Sequence, residues 1–535
     1  MVCAVSEQDG LRDLGAACRE RWPQRVHAAY EAARRTWRLE CRADALVDLA
    51  SWLVAERGVS FAGLVVEEAP AEWVLRYLFY GDRDTGWVEI VARCRKPARA
   101  MPSISARVHA ADWHEREAED LFGLVFEGHP RLGDFVLHND VWPEDVGVMR
   151  ADYDPAVRRP RPEPDPAWQP VRLVEAPGAF WMPVGPIYSG VTESALFLLE
   201  TVGEDVIRAF PRLFYKYRGI EKIAERRSVD QVLLLAERCA ATSAFAHSLA
   251  FCQAVEAIAG VEVPARARAL RIVLAELERL RHHVGAIEEI CESTALAVAA
   301  SQASILEEDL LRLSGSLTGH RYLFGLNVPG GLTHDLAQGA VRAAADGAAA
   351  VVPALRRLRE MLGVSSSFVD RLEGIGTISR ADALAHGLVG PVARASGVRR
   401  DLRVAQPYSG YESLDVLVPA EEDGDGYARL RVLFAEAEES ARILAQQAAA
   451  LPAGPVRAPA FPVAAGAALG WAEAPRGAAF HWVRIGADGL VARYRLVTPS
   501  FTNWHGFHLA AENFAFQDFP IILASFGLSA GEGDR

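Results

Sequence analysis

The chain has 535 residues, half of them hydrophobic, and a formal net charge of −13. That length exceeds one ordinary core and predicts two or three domains, and the apolar content excludes a disordered chain. The acidic balance argues against nucleic acid as the main partner, because phosphate backbones recruit basic surfaces. The seven cysteines form no CxxC pair and none follows Cys291. This fits a reducing compartment and disfavours a zinc site or a four-cysteine cluster. The start, MVCAVSEQDGLRDLG, has no basic stretch followed by an apolar one, so no signal peptide is expected. The best candidate for a membrane span, AAADGAAAVVPALRRL, is broken by Asp346 and Pro353. The chain is therefore expected to be soluble by itself, while free to dock on a membrane complex. No G-x-G-x-x-G follows a strand pattern, which leaves nicotinamide nucleotide binding by this chain unsupported.

In chain order, residues 1–150 read as a small α/β domain. EWVLRYLFYG and GWVEIVARC alternate β-branched and aromatic residues around Gly81–Gly86, predicting two strands and a turn. DWHEREAEDLFGLVF predicts a short helix, acidic in its early turns and broken at Gly123. Residues 151–178 are read as a linker, because RRPRPEPDPAWQPVR alternates five prolines with charges. The remainder, 179–535, opens with strand-like ALFLLETVGEDVIRAF. Long helical patterns follow over 228–260, 264–299, 302–317, 336–362 and 428–450. Short strands return in 457–500, with a hairpin turn at Gly486–Gly489, and the tail 505–524 is expected to be helical. The fold class is α+β: a small α/β domain followed by a mainly helical bundle with flanking small sheets.

Two charged clusters invite a chemical reading. In HEREAEDLFGLVFEGHP, Glu115, Glu119 and His129 are of metal-ligating types, but a solvated helix face with local ion pairs is the preferred reading. ELERLRHHVGAIEE places Glu278, His282 and Glu289 at near-helical intervals, again read as a solvated or subunit-facing helix. His334 and Asp335 are expected to cap a helix.

WHEREAEDLFGLVFEGHPRL, continued by VWPEDVGVMRADYD, resembles the C subunit of respiratory complex I. FYKYRGIEKIAE (214–225) resembles the RGxEK motif shared by the complex I D subunit and the large subunits of NiFe hydrogenases. VPGGL, PYSGY, GDGYAR, LPAGPV, EAPRG and PSFTNW follow in the order of that family. Together these segments resemble the fused C–D large subunit of energy-converting, formate hydrogenlyase-type membrane hydrogenases. The resemblance implies a docking role for the first segment. It also implies a peripheral, cytoplasmic place on the inner face of the membrane. The implied partners are an iron–sulfur small subunit, which carries the clusters, and membrane antiporter-like subunits, so that membrane contact is indirect.

Within that resemblance, ERCAATSAFAHS (237–248) matches the ERxCxxC…H stretch that supplies two thiolates to nickel and iron. Ala240 and Ser243 occupy the cysteine positions, and on a continuous helix Cys239 points about 100° away. Ser529 and Glu532 stand where the second cysteine pair belongs. Hard oxygen donors and alanine do not replace soft thiolates, so no NiFe centre and no cofactor in this chain are expected. If Arg535 is the encoded end, no nickel-checked removal of a tail is expected either.

A quinone site is the open alternative. There the resemblance puts Tyr188 and Thr192 at the two histidine positions of the early loop, Ala241 at the tyrosine position, and Tyr217 at the histidine before RGxEK. Tyr188 or Tyr217 would donate to a quinone carbonyl, although packing tyrosines are the simpler reading. The retained frame consists of Arg218, Glu221 and Arg476. The resemblance implies proton shuttling for Glu221 and a position over the active site for Arg476. A structural ion-pair network of Glu221 with Arg218, Lys222 or Arg238 is the competing reading.

Overall fold

The computed structural model describes residues 14–83, 85–143, 146–163, 166, 174–175, 177–188 and 193–535. Most of the linker segment 164–173, together with Thr192, lies outside the described residues. The chain divides into two compact units, 1–169 with 385–387 and 170–384 with 388–535. The division falls inside the proline-rich segment.

In the first unit, alternation of apolar and aromatic residues builds strands β1 (Val26–Glu31), β2 (Thr36–Cys41), β3 (Ser60–Glu68), β4 (Glu72–Tyr80) and β5 (Trp87–Arg95). They form one five-stranded sheet in the order β1-β2-β5-β4-β3. The β2–β5 pair is parallel and the others antiparallel. The crossover that this parallel pair requires runs through helix α1 (Ala43–Arg57) and the β3–β4 hairpin. Helix α2 (Asp112–Phe122) ends at Gly123, whose φ of 71° is the left-handed conformation that closes a helix at little cost to glycine.

The acidic helix α2 is not a solvated face. His114, Glu115, Arg116 and Glu117 are buried. Glu115 accepts from Ser103 Oγ (2.5 Å) and the Ile104 amide (2.9 Å), and Glu119 accepts from the Gly133 amide (2.8 Å). Asp120 accepts from the amides of Val136 and Leu137. The carboxylates thus hold neighbouring loop backbone that water would otherwise have to satisfy. His129 Nε2 lies 4.0 Å from Glu115. Glu115 and Arg116 therefore face the interior of their own unit.

The second unit begins with β6 (Ala179–Val184), β7 (Leu196–Val202) and β8 (Asp205–Arg212). Helices α3 (Ile220–Ala224), α4 (Val229–Glu237), α5 (Ala244–Ala259), α6 (Ala265–Ser293), α7 (Ala297–Thr318), α8 (Gln338–Gly363) and α9 (Gly426–Ala449) follow. A three-stranded antiparallel sheet has the order β9 (Gly466–Ala474), β10 (Gly477–Ile485), β11 (Val491–Val497). The chain then runs through α10 (Pro499–Ala510), β12 (Glu512–Ala515), α11 (Phe519–Phe526) and α12 (Ala530–Asp534). Strand β12 joins the first sheet, in the order β12-β8-β7-β6.

Five expectations are corrected in this unit. The helical pattern 228–260 breaks at 238–243, and the pattern 264–299 breaks between Ser293 and Ala297, where Ala295 has φ 61°. The tail is interrupted by strand β12. His334 and Asp335 cap no helix; Asp335 pairs with Arg266 at 2.8 Å. The 276–283 part of that cluster lies in the core, with Glu276, Glu278, His282 and His283 all buried, while Glu289 at its end is exposed as expected.

Burying so many ions requires partners, because an unpaired buried charge costs several kcal/mol. Arg394 donates to Glu436 (2.5 Å) and Glu473 (2.9 Å), and Arg403 to Glu276 (3.0 Å) and Asp401 (2.8 Å). Tyr411 and Ser440 add hydroxyl bonds to Glu276, and His283 lies 2.9 Å from Glu436. Two residues of the PYSGY and EAPRG motifs, Tyr411 and Glu473, thus belong to an ionic lattice of the bundle core.

Candidate functional site

The stretch 237–248 is a junction between two helices. Helix α4 ends at Glu237, Ala240 is extended (φ −144°, ψ 114°), a short 3-10 turn spans Ala241–Ser243, and α5 starts at Ala244. The helical geometry assumed for Cys239 therefore does not apply. Its thiol is buried and pushed up to about 12, chiefly by that burial.

Two arginines fasten this junction to the C-terminal segment. Arg218 donates to the carbonyls of Arg238 (2.9 Å), Cys239 (2.8 Å) and Gly531 (2.5 Å). Arg476 donates to the Gly527 carbonyl (2.6 Å) and Thr242 Oγ1 (2.7 Å), and lies 3.7 Å from Glu532 Oε2. Arg476 is itself held in a glycine-lined crossing. Gly477 has φ 130°, and a Cβ there would stand 2.7 Å from the Gly390 amide nitrogen, so only glycine fits the EAPRG turn. The segments carrying Ala240, Ser243, Ser529 and Glu532 are thus brought together, as the order of motifs implied.

Glu532 is buried and fully engaged. Its Oε1 is 3.1 Å from His247 Nε2, and its Oε2 accepts from Ser500 Oγ. His247 Nδ1 is 3.0 Å from His481 Nε2, and His481 Nδ1 is 2.7 Å from the Tyr494 hydroxyl. Burial works to raise the Glu532 pKa, but the His247 bond and the Arg476 charge hold it below the usual carboxylate range. Ser529 Oγ caps α12 by accepting from the Glu532 amide (2.9 Å), and donates to Glu193 (2.8 Å). Ser243 Oγ is fully buried without a hydrogen-bond partner.

These four positions do not fit a NiFe pair. One is alanine, two of the three oxygen side chains are committed to other bonds, and only the Ser243 hydroxyl is unengaged. Among the described residues, no group of three or more His, Cys, Asp and Glu side chains is placed to hold a metal ion.

Glu221 has other partners than those expected. Its carboxylate meets Arg493 (3.0 Å), Arg495 (3.1 Å) and the Leu496 amide (3.1 Å), with Arg535 at 3.8 Å. Lys222 pairs with Glu225 (2.8 Å) and Arg238 with Glu237 (3.5 Å). Burial opposes ionisation of Glu221, but the charges of Arg495, Arg493 and Arg535 lower its pKa. Tyr188 donates to the Ala195 carbonyl (2.7 Å), with the Val184 carbonyl also in reach (3.2 Å). Tyr217 is half-buried beside the exposed Arg218.

Sequence reasoning missed His481, Tyr494, Arg493, Arg495 and Arg535. The first four lie on strands whose alternation signals a sheet face but not its contents. Ser500 stood inside PSFTNW without a role.

The two units correspond to two subunit families of the respiratory NADH dehydrogenase type, joined in one chain. Residues 39–158 match the respiratory-chain NADH dehydrogenase 30 Kd subunit family, and residues 300–464 and 458–535 match the 49 Kd subunit family. Formate hydrogenlyase subunit 5 of Escherichia coli is 31% identical over 82% of this chain and 78% of its own length. The fused C/D component of the NADH-quinone oxidoreductase of Bdellovibrio bacteriovorus is 31% identical over 71% of this chain and 68% of its own length. The chain belongs to this family of fused complex I 30 Kd and 49 Kd type large subunits. A chain from the structure of the membrane-bound sulfane sulfur reductase, an archaeal respiratory membrane complex, superposes with a TM-score of 0.64. It is 27% identical, and the match covers 67% of this chain and 99% of that one.

Proposed function

We propose that the chain is the large peripheral-arm subunit of a membrane-bound complex I-like or hydrogenase-related redox complex. It works without a NiFe centre, as a scaffold and a proton or conformational coupling element. Its neighbours are an iron–sulfur subunit and antiporter-like membrane subunits on the inner face of the membrane. Relatives named as subunits of such complexes support this assembly. No described helix is long and apolar enough to cross a membrane, in keeping with a peripheral attachment through partners.

The observation that carries the reading is the stapled junction. Arg218 and Arg476 hold together the two segments that bear the cysteine positions, yet Glu532 and Ser529 are bonded to protein groups. The frame persists as a structural and protonic element. The quinone alternative gains nothing from Tyr188, whose hydroxyl hydrogen is used by backbone.

The test is nickel and iron content, by elemental mass spectrometry, of the chain purified with its partners. No nickel, with iron only at the level of the partners' clusters, is the expected result. Nickel near one atom per chain would overturn the reading. Unchanged quinone-dependent turnover in Tyr188→Phe and Tyr217→Phe is expected, and its loss would restore the quinone site.

A further inference from the structure

Four buried side chains from four elements form one continuous hydrogen-bonded line, Tyr494–His481–His247–Glu532. His247 comes from α5, His481 from β10, Tyr494 from β11, and Glu532 from α12. None of the four side chains is in contact with bulk water to any useful extent. A histidine ring nitrogen either donates or accepts, so each bond constrains the next. With Glu532 ionised, His247 Nε2–H must donate to it. While His247 carries that single proton its Nδ1 accepts, so His481 Nε2–H donates. His481 Nδ1 then accepts, so the Tyr494 hydroxyl donates. In this arrangement every bond points toward Glu532.

We infer that this line is a proton-storing site, in which His247 and Glu532 take up one proton and the bonds of His481 and Tyr494 reverse to accommodate it. It deepens the coupling role proposed above and depends on that reading for its purpose, but not for its chemistry. The balance is simple. One proton enters from solvent, His247 becomes an imidazolium paired with the Glu532 carboxylate, and no electron moves. His247 Nδ1–H now donates, so His481 shifts its single proton from Nε2 to Nδ1 and donates to the Tyr494 oxygen. The phenol turns its hydrogen away. The total charge of the line rises by one.

The surroundings support uptake at the Glu532 end. Arg476 and Ser500 meet that carboxylate, while Ser529 accepts from the Glu532 amide and donates to the exposed Glu193. The inner end is closed, because Tyr494 and Cys239 belong to one apolar cluster with Phe251, Val483 and Leu496. The other charged or titratable groups that act on the line are Cys239 beside Glu532 and Tyr494, and Glu221 beside Tyr494. Burial, then the nearby His247, keeps His481 from becoming a cation, and burial keeps the Tyr494 phenol protonated. The stored charge therefore stays at the His247–Glu532 end.

The test is a pH titration of the full chain labelled with 15N-histidine, read by NMR, with ring assignments from His247→Asn and His481→Asn. Both rings are expected as Nε2–H tautomers at high pH. As pH falls, His247 should gain a second proton while His481 changes to Nδ1–H at the same midpoint. Glu532→Gln should move that midpoint down by about one pH unit or more, because the paired charge is gone. Tyr494→Phe should lower it as well, by removing the acceptor for His481 Nδ1–H. Separate midpoints for the two rings, or a His481 that keeps its Nε2 proton throughout, would overturn the inference. So would a chain that unfolds before either ring takes up a proton. The wild-type titration decides this even if a variant does not fold, and nickel content is decided independently of it.

Discussion

Two buried regions of the second unit treat charge in opposite ways. In the bundle core, Glu276, Asp401, Glu436 and Glu473 are each paired with a guanidinium. At the stapled junction, Glu532 has an imidazole and a hydroxyl as its direct partners, with Arg476 only at 3.7 Å. Guanidinium groups do not give up protons at accessible pH, so the cations of the first region stay charged. Imidazole does, so the second can change its charge. One unit thus holds both a guanidinium-bound lattice and a histidine-centred line.

The largest effect should come from breaking the lattice. Arg394→Met leaves Glu436 and Glu473 without their shared cation, and removing one partner of a buried ion pair costs about 3–5 kcal/mol. Urea denaturation of the full chain should show that loss, and a change smaller than that of a surface substitution would refute the pairing.

Glu115 sharpens the contrast from the first unit. Its contacts are a serine hydroxyl, a backbone amide and the Tyr77 hydroxyl, and burial raises its pKa from 4.5 to about 7. The folded state then binds a proton that the unfolded state has released. Stability contributed by this group is complete below about pH 4.5 and is lost as pH rises through about 7. The slope is about 1.4 kcal/mol per pH unit within that window, for a total of about 3 kcal/mol. Amide exchange in Glu72–Tyr80 measures it, and Glu115→Gln should flatten the slope.

Glu221 behaves in the reverse sense. Its pKa is lowered by three arginines, so its contribution is complete above the ordinary carboxylate range and fades as pH falls through its folded value. Glu221→Gln should therefore destabilise by about 2 kcal/mol at neutral pH, and by less in acid, in denaturation curves taken at both.

Arg218→Ala removes a fork that spans three carbonyls and should cost about 1.5–3 kcal/mol, if each region's fastening is as local as the contacts indicate. Faster amide exchange confined to 238–243 and 529–535 is the expected signature. The smallest effect is Ser529→Ala, which removes the cap of α12 and should cost about 1 kcal/mol by thermal unfolding.

The strands at 72–95 and 466–497 and the long core helices were legible in the sequence because alternation and helical spacing are local properties. Glycine punctuation at 123 and 486–489 was legible for the same reason. The motif order placed the junction and the C-terminal segment in one family frame before any contact was known. What alternation and spacing could not reveal was where the charges would go. HEREAEDLF and ELERLRHHV read as wet surfaces because charge runs usually are. Both are buried, since partners distant in sequence, such as Arg403 with Glu276 or the Phe245 amide with Glu278, satisfy them.

The sequence by itself determined the α+β class and the two-part organisation, and it carried the family resemblance in which Ala240, Ser243, Ser529 and Glu532 stand at the implied thiolate positions. Only the tertiary structure decided that Glu221 answers to Arg493, Arg495 and Arg535, and that Glu532 meets a line ending at Tyr494. The physical reason is that a buried polar group must find its hydrogen-bond partner in space. Residues 247, 481, 494 and 532 meet only after helix, sheet and chain end have closed around them.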